Sequence, residues 1–139
     1  MRNDNFLNKR LDAIWNLLFG DIPKLNKVNI KFKGKSKNKF GHIAKKGKNT
    51  EIVINELFRF DDVPEYIIDL TIAHELSHYA HGFNSPLKQK YKHPHKGGVV
   101  TKEMISRGFD KMIKIEKTFF KKEWPKIYER LGSVEKVND

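Results

Sequence analysis

Residues 66–81 read Tyr66-Ile67-Ile68-Asp69-Leu70-Thr71-Ile72-Ala73-His74-Glu75-Leu76-Ser77-His78-Tyr79-Ala80-His81. Apolar residues dominate the first half, which is the pattern of a buried helix rather than a half-exposed one. Asp61-Asp62-Val63-Pro64 precede it and Gly82 follows. Acidic residues suit the positive end of a helix dipole, Pro suits the first turn and Gly the stop, so a helix is expected from about Pro64 to Ala80 or His81. Within it, His74, Glu75 and His78 form the pattern H-E-x-x-H. On a helix, positions i and i+4 share one face, about 6 Å apart along the axis. Two imidazoles so placed can grip one zinc ion. Zinc lowers the pKa of a bound water, and Glu75 stands where it can take that water's proton.

Upstream, Phe6, Leu7, Leu11, Ile14, Trp15, Leu17, Leu18 and Phe19 recur at helical spacing and Gly20 closes the run, which predicts an amphipathic helix over 4–19. From Lys27 to Lys35 the sequence alternates, with Val28, Ile30 and Phe32 on one face and Asn29, Lys31 and Lys33 on the other. That is a half-buried strand. Phe40–Ala44 and Glu51–Asn55 read as two more strands, joined by a turn over Lys45–Asn49. Three strands predict a small antiparallel sheet. Downstream come a loop over 83–96, a helix from about Val99 to Arg107 stopped by Gly108, and a helical region over 109–131 that Pro125 kinks or splits. The polar tail from Gly132 reads as frayed. The whole reads as one α+β domain over 1–139, with three strands packed on the H-E-x-x-H helix and helices at both ends.

There is no cysteine among the 139 residues, so any metal site must use His, Asp or Glu. A catalytic zinc needs a third protein ligand and an open position. His81 lies seven residues beyond His74, about 10 Å along the same helix, too far to converge with His74 and His78. Asn84 stands where H-E-x-x-H-x-x-G-x-x-H would put its third His, which excludes that class. His93, His95 and Glu103 remain.

The order of these segments resembles the SprT-like metallopeptidase domain family (Spartan/SprT-like). The similar stretches are Leu7–Arg10, Phe40–Ile43, Glu51–Asn55, Leu70–Ala80 and His95–Val100 running on to Met104 and Gly108, about residues 6–108 in all. The resemblance implies a zincin-like fold, a Zn2+ cofactor, His74, His78 and His95 as metal ligands, Glu75 as the catalytic carboxylate, and hydrolysis of proteins on DNA. Lys96 stands where the family usually has Gly, and the spacing to Met104 is one residue longer; a shift of register would make His93 the ligand. The family's Cys-rich zinc ribbon has no counterpart here, and the helical stretch 109–131 follows instead. Residues 71–79 also resemble the ImmA/IrrE type of repressor-directed metallopeptidase, which implies an acidic third ligand and so Glu103.

The formal net charge is +11, and between Asp21 and Glu51 there are ten lysines and no acidic residue. Lys31, Lys33 and Lys35 are expected on one strand face, and Lys45, Lys46 and Lys48 at a turn. Lys88, Lys90, Lys92 and Lys96, with Tyr91 among them, form a second group in the 83–96 loop. Such arrays suit nucleic-acid phosphates, and an aromatic can stack on an unpaired base. Lysines on an edge strand also simply keep sheets from aggregating. The expectations are therefore a zinc metallopeptidase acting on a protein or peptide, with DNA as a partner of the lysine face. The competing reading from another class is a non-catalytic basic nucleic-acid-binding module with a closed structural zinc site. No apolar run suggests a leader or a membrane span, so an intracellular, cytoplasmic place is expected, nucleoid-associated if the chain binds DNA. Tyr79 and Tyr91 are the candidate oxyanion-stabilising side chains.

Overall fold

Asn3 accepts the Phe6 N–H at 2.9 Å and so starts α1 (Asp4–Leu18) one residue short of the expected end. The computed structural model describes residues 1–132; the expectation for the tail beyond Gly132 lies outside them. Leu7, Leu11, Ile14 and Trp15 form the buried stripe of α1. Leu17 and Leu18, read as part of that stripe, are exposed instead; at about 100° per residue Leu17 falls off the face that Leu7, Leu11, Ile14 and Trp15 share, and Leu18 lies in the last turn.

Strands β1 (Val28–Phe32), β2 (Gly41–Lys46) and β3 (Asn49–Ile54) form the sheet in the order β1-β3-β2. The expected all-antiparallel sheet is corrected here. β2 and β3 are antiparallel, but β1 pairs with β3 in parallel, Ile30 opposite Ile52. The reason lies in β3. Ile52, Val53 and Ile54 are all buried, so this strand takes the centre and has both edges paired. The 33–40 connection carries the chain past it to the far edge. The hairpin turn is also shorter than expected. Lys46 pairs with Asn49, which leaves only Gly47 and Lys48 in the loop, with Gly47 at φ +62°.

A 3-10 turn over Glu56–Arg59, unforeseen in the sequence, leads to α2 (Glu65–Ala80), which Pro64 precedes as the capping residue. Eleven residues of α2 are buried, as its apolar first half predicts. Then follow α3 (Val99–Ser106), α4 (Asp110–Thr118) and α5 (Trp124–Leu131). The expected break near Pro125 takes the form of a π-helical turn over Phe119–Glu123, with Pro125 in the first turn of α5. A π turn places residues out of the 3.6 phase. Here it seats Phe119, Trp124 and Ile127 in the core, while Ile115 of α4 stays exposed. Phe120 stacks on Phe40 with ring centroids 3.9 Å apart, and Trp124 meets Phe58 edge-on at 5.4 Å. The C-terminal helices thereby close one side of the region around α2. No helix among the described residues is long and apolar enough to cross a membrane.

Candidate metal centre and cleft

His74 and His78 sit one turn apart on α2, with ring centroids 5.1 Å apart. The chain beyond α2 folds straight back over them. Gly82 turns it at φ +75°, and a side chain there would collide with the Lys88 carbonyl. The Phe83 N–H donates to the His78 carbonyl at 3.0 Å, and the Lys90 N–H donates to the His81 carbonyl at 2.8 Å. Asn84 ties the same loop to the sheet: its side-chain amide donates to the Ile43 carbonyl, and its own carbonyl accepts from the Thr50 hydroxyl. This folding brings the His95 ring to 4.7 Å from that of His78 and 5.0 Å from Phe83. His93 is exposed and makes no ring contact with either α2 histidine among the described residues.

Three imidazoles are thus neighbours. Among the described residues, however, no group of three His, Asp or Glu side chains already surrounds a common metal position. The chemistry of the three still suits a cation. Burial, then the charges of His74, His95 and His81, push His78 down to about 3, so its ring is neutral near pH 7. Its Nδ1 is buried without a hydrogen-bond partner. His74 is exposed at the cleft, yet the surrounding protein and then His95 hold its pKa below the ordinary value. Neutral imidazole is the metal-binding form. Imidazole nitrogens of this kind are donors that zinc takes, and His74 and His78 are the two held in that form.

Glu103 is elsewhere. Its Oε1 lies 2.8 Å from Nε2 of buried His81, and its Oε2 accepts from Arg107 Nε at 2.9 Å. Both oxygens serve that structural pair, which gives no support to Glu103 as a metal ligand. Tyr79 is likewise structural. Its hydroxyl donates to Asn26 Oδ1 at 2.7 Å and its ring packs on Trp15. Tyr91 lies edge-on to His81 at 4.8 Å.

Glu75 is 4% exposed and lines a cavity of about 340 Å3 with Asn38, Phe40, Thr71, His74 and Glu116. Burial pushes its carboxyl up to about 8, with Lys39 opposing. Gly41, at the start of β2, makes this approach possible. A Cβ there would stand 2.8 Å from Thr71 Cγ2 and 3.3 Å from Glu75 Oε2. Glu116 and Phe120, both from the C-terminal helices, were not singled out in the sequence. Their signal was there: Met112, Glu116 and Phe120 repeat at i, i+4 and i+8, a carboxylate on an apolar stripe.

The six lysines expected to form one basic array are divided. Lys33, Lys35 and Lys46 line a second cavity, of about 280 Å3, with Lys39, His42 and Glu51. Lys45 and Lys48 line a smaller one with Asn26 and Ser85. Lys31 lies 3.3 Å from Glu51. The division follows from register: Lys45 and Lys46 are adjacent on β2 and therefore point to opposite faces. Only Lys31 of the first trio lies within β1, which ends at Phe32. Comparison with known protein families, with curated proteins and with solved structures finds no match.

Proposed function

We propose that this chain is a zincin-like zinc metallopeptidase of SprT-like character. The observation that supports the reading is a run of neighbouring imidazoles, His74 beside His78 and His78 beside His95, with the buried carboxyl of Glu75 sharing a cavity with His74. Zinc bound there would supply a Lewis acid for a water and a peptide carbonyl. His74, His78 and His95 would hold it. Burial pushes the Glu75 carboxyl up to about 8; the charge of a bound cation beside it would favour the carboxylate, which would accept a proton from the water and return it to the leaving amine.

The test is metal content paired with hydrolysis of an unfolded protein. His74→Ala or His78→Ala should empty the site. Glu75→Gln should keep the metal and lose hydrolysis. Metal retained in both histidine variants would overturn the ligand assignment. The cavity lined by Lys33, Lys35, Lys39 and Lys46 favours a second element, contact with nucleic-acid phosphates, and so action on DNA-bound protein. A salt titration of DNA binding checks it, since the affinity should fall steeply as salt rises.

A further inference from the structure

We propose that Glu116, with the stacked rings of Phe40 and Phe120, forms a subsite beside Glu75 that takes a lysine or arginine side chain of a bound peptide. This rests on the metallopeptidase reading for the peptide's place in the cleft. Several features point to a cationic occupant. The cavity that holds Glu75 is lined by two carboxylates and by no lysine or arginine, in a chain with 28 of them. Lys39, whose charge reaches Glu75, lines the cavity on the other side of β2. Glu116 is half-buried on α4 and has no hydrogen bond or ion pair among the described residues. Burial alone pushes its carboxyl up to about 7. A desolvated carboxylate without a partner is costly, and an entering ammonium or guanidinium removes that cost.

The walls select the rest of the side chain. Phe40 and Phe120 present aromatic surface along the same cavity, their rings 3.9 Å apart. Methylene stems of Lys and Arg pack on such surface while the head stays charged, and ring faces attract the cation. An acidic side chain would meet Glu116 with no lysine or arginine in the lining to balance it. An aliphatic one would leave Glu116 desolvated and unpaired. Glu116 and Phe120 both lie in 109–131, beyond the stretch that resembles the SprT-like family, so this selectivity belongs to the chain's own C-terminal helices.

Binding tests this apart from turnover. Short fluorescent peptides identical except for a central Lys, norleucine or Glu are titrated, by anisotropy, into the zinc-loaded Glu75→Gln protein, which does not cut them. Lys should bind about tenfold or more tighter than its uncharged isostere norleucine. Adding Glu116→Gln should bring the two together, and adding Glu116→Lys should favour the Glu peptide. Equal Lys and norleucine affinities, a preference that survives Glu116→Gln, or no peptide binding at all would overturn the proposal. Wild-type digestion of an unfolded protein runs in parallel. Hydrolysis without a Lys preference sinks the subsite alone; a Glu116-dependent Lys preference without hydrolysis sinks the peptidase reading alone.

Discussion

On one side of β2 lies the cavity with His74, Glu75 and Glu116; on the other lies the cavity with Lys33, Lys35, Lys39 and Lys46. Both reach Gly41. The strand is a partition one residue thick between a carboxylate-lined cleft and a lysine-lined one. Alternation along a strand makes such sorting possible, because neighbours point to opposite faces. A net charge of +11 describes neither surface, and the local sign is what any approaching charged group meets.

The sharpest way to break the comparison is on the acidic side. Glu75→Gln should lower hydrolysis by about 10²- to 10⁴-fold, measured as kcat/KM on an unfolded protein, while bound zinc is unchanged. Next comes the partition itself. Gly41→Ala puts a methyl 2.8 Å from Thr71 Cγ2 and 3.0 Å from the Val53 carbonyl. Thermal unfolding should show a loss of about 1–3 kcal/mol, the usual cost of overpacking, and hydrolysis should fall with it.

A smaller effect separates the two sides by pH. In the folded, metal-free chain Glu75 holds its proton to about 8, whereas the unfolded chain releases it from about 4.5. The folded state binds the extra proton between those values, so this contribution to stability is full below the window and is lost as pH rises through it. Glu75→Gln removes that slope, and melting curves of the metal-free variant should gain on the wild type towards the upper end. His78 acts with the opposite sign. Its folded value of about 3 lies below the ordinary 6.5, so stability falls as pH drops through that range. The smallest effect on the fold belongs to the basic side. Lys33→Glu with Lys46→Glu should shift stability within about 0.5 kcal/mol. The same pair should weaken DNA binding and flatten its salt dependence. Unchanged DNA binding would leave that cavity a solvated surface.

The α2 helix was legible because apolar run, acidic start and Gly stop agreed. The histidine pair came with it, since a helix converts i, i+4 spacing directly into proximity. The position of β1 was also legible from alternation, and that of β3 from its apolar run. Strand partners were not. Alternation reports which face is buried, and the parallel pairing of β1 with β3 depends on which strand is apolar enough for the middle. The lysines show the same limit: one shortened turn moved Lys45 and Lys46 to opposite faces. His95 is set against His78 by Gly82, Asn84 and a few main-chain hydrogen bonds, a loop path that no periodicity announces. Glu116 escaped because a lone Glu on an amphipathic helix ordinarily faces water.

The π turn at Phe119–Glu123 has a consequence in time. α2, which supplies Thr71, His74 and Glu75 to the cleft, emerges from the ribosome some forty residues before Phe120, which walls it. During synthesis at about 5–20 residues per second, that gap lasts seconds. A nascent chain therefore carries the His-Glu-His turn before it carries a finished cleft.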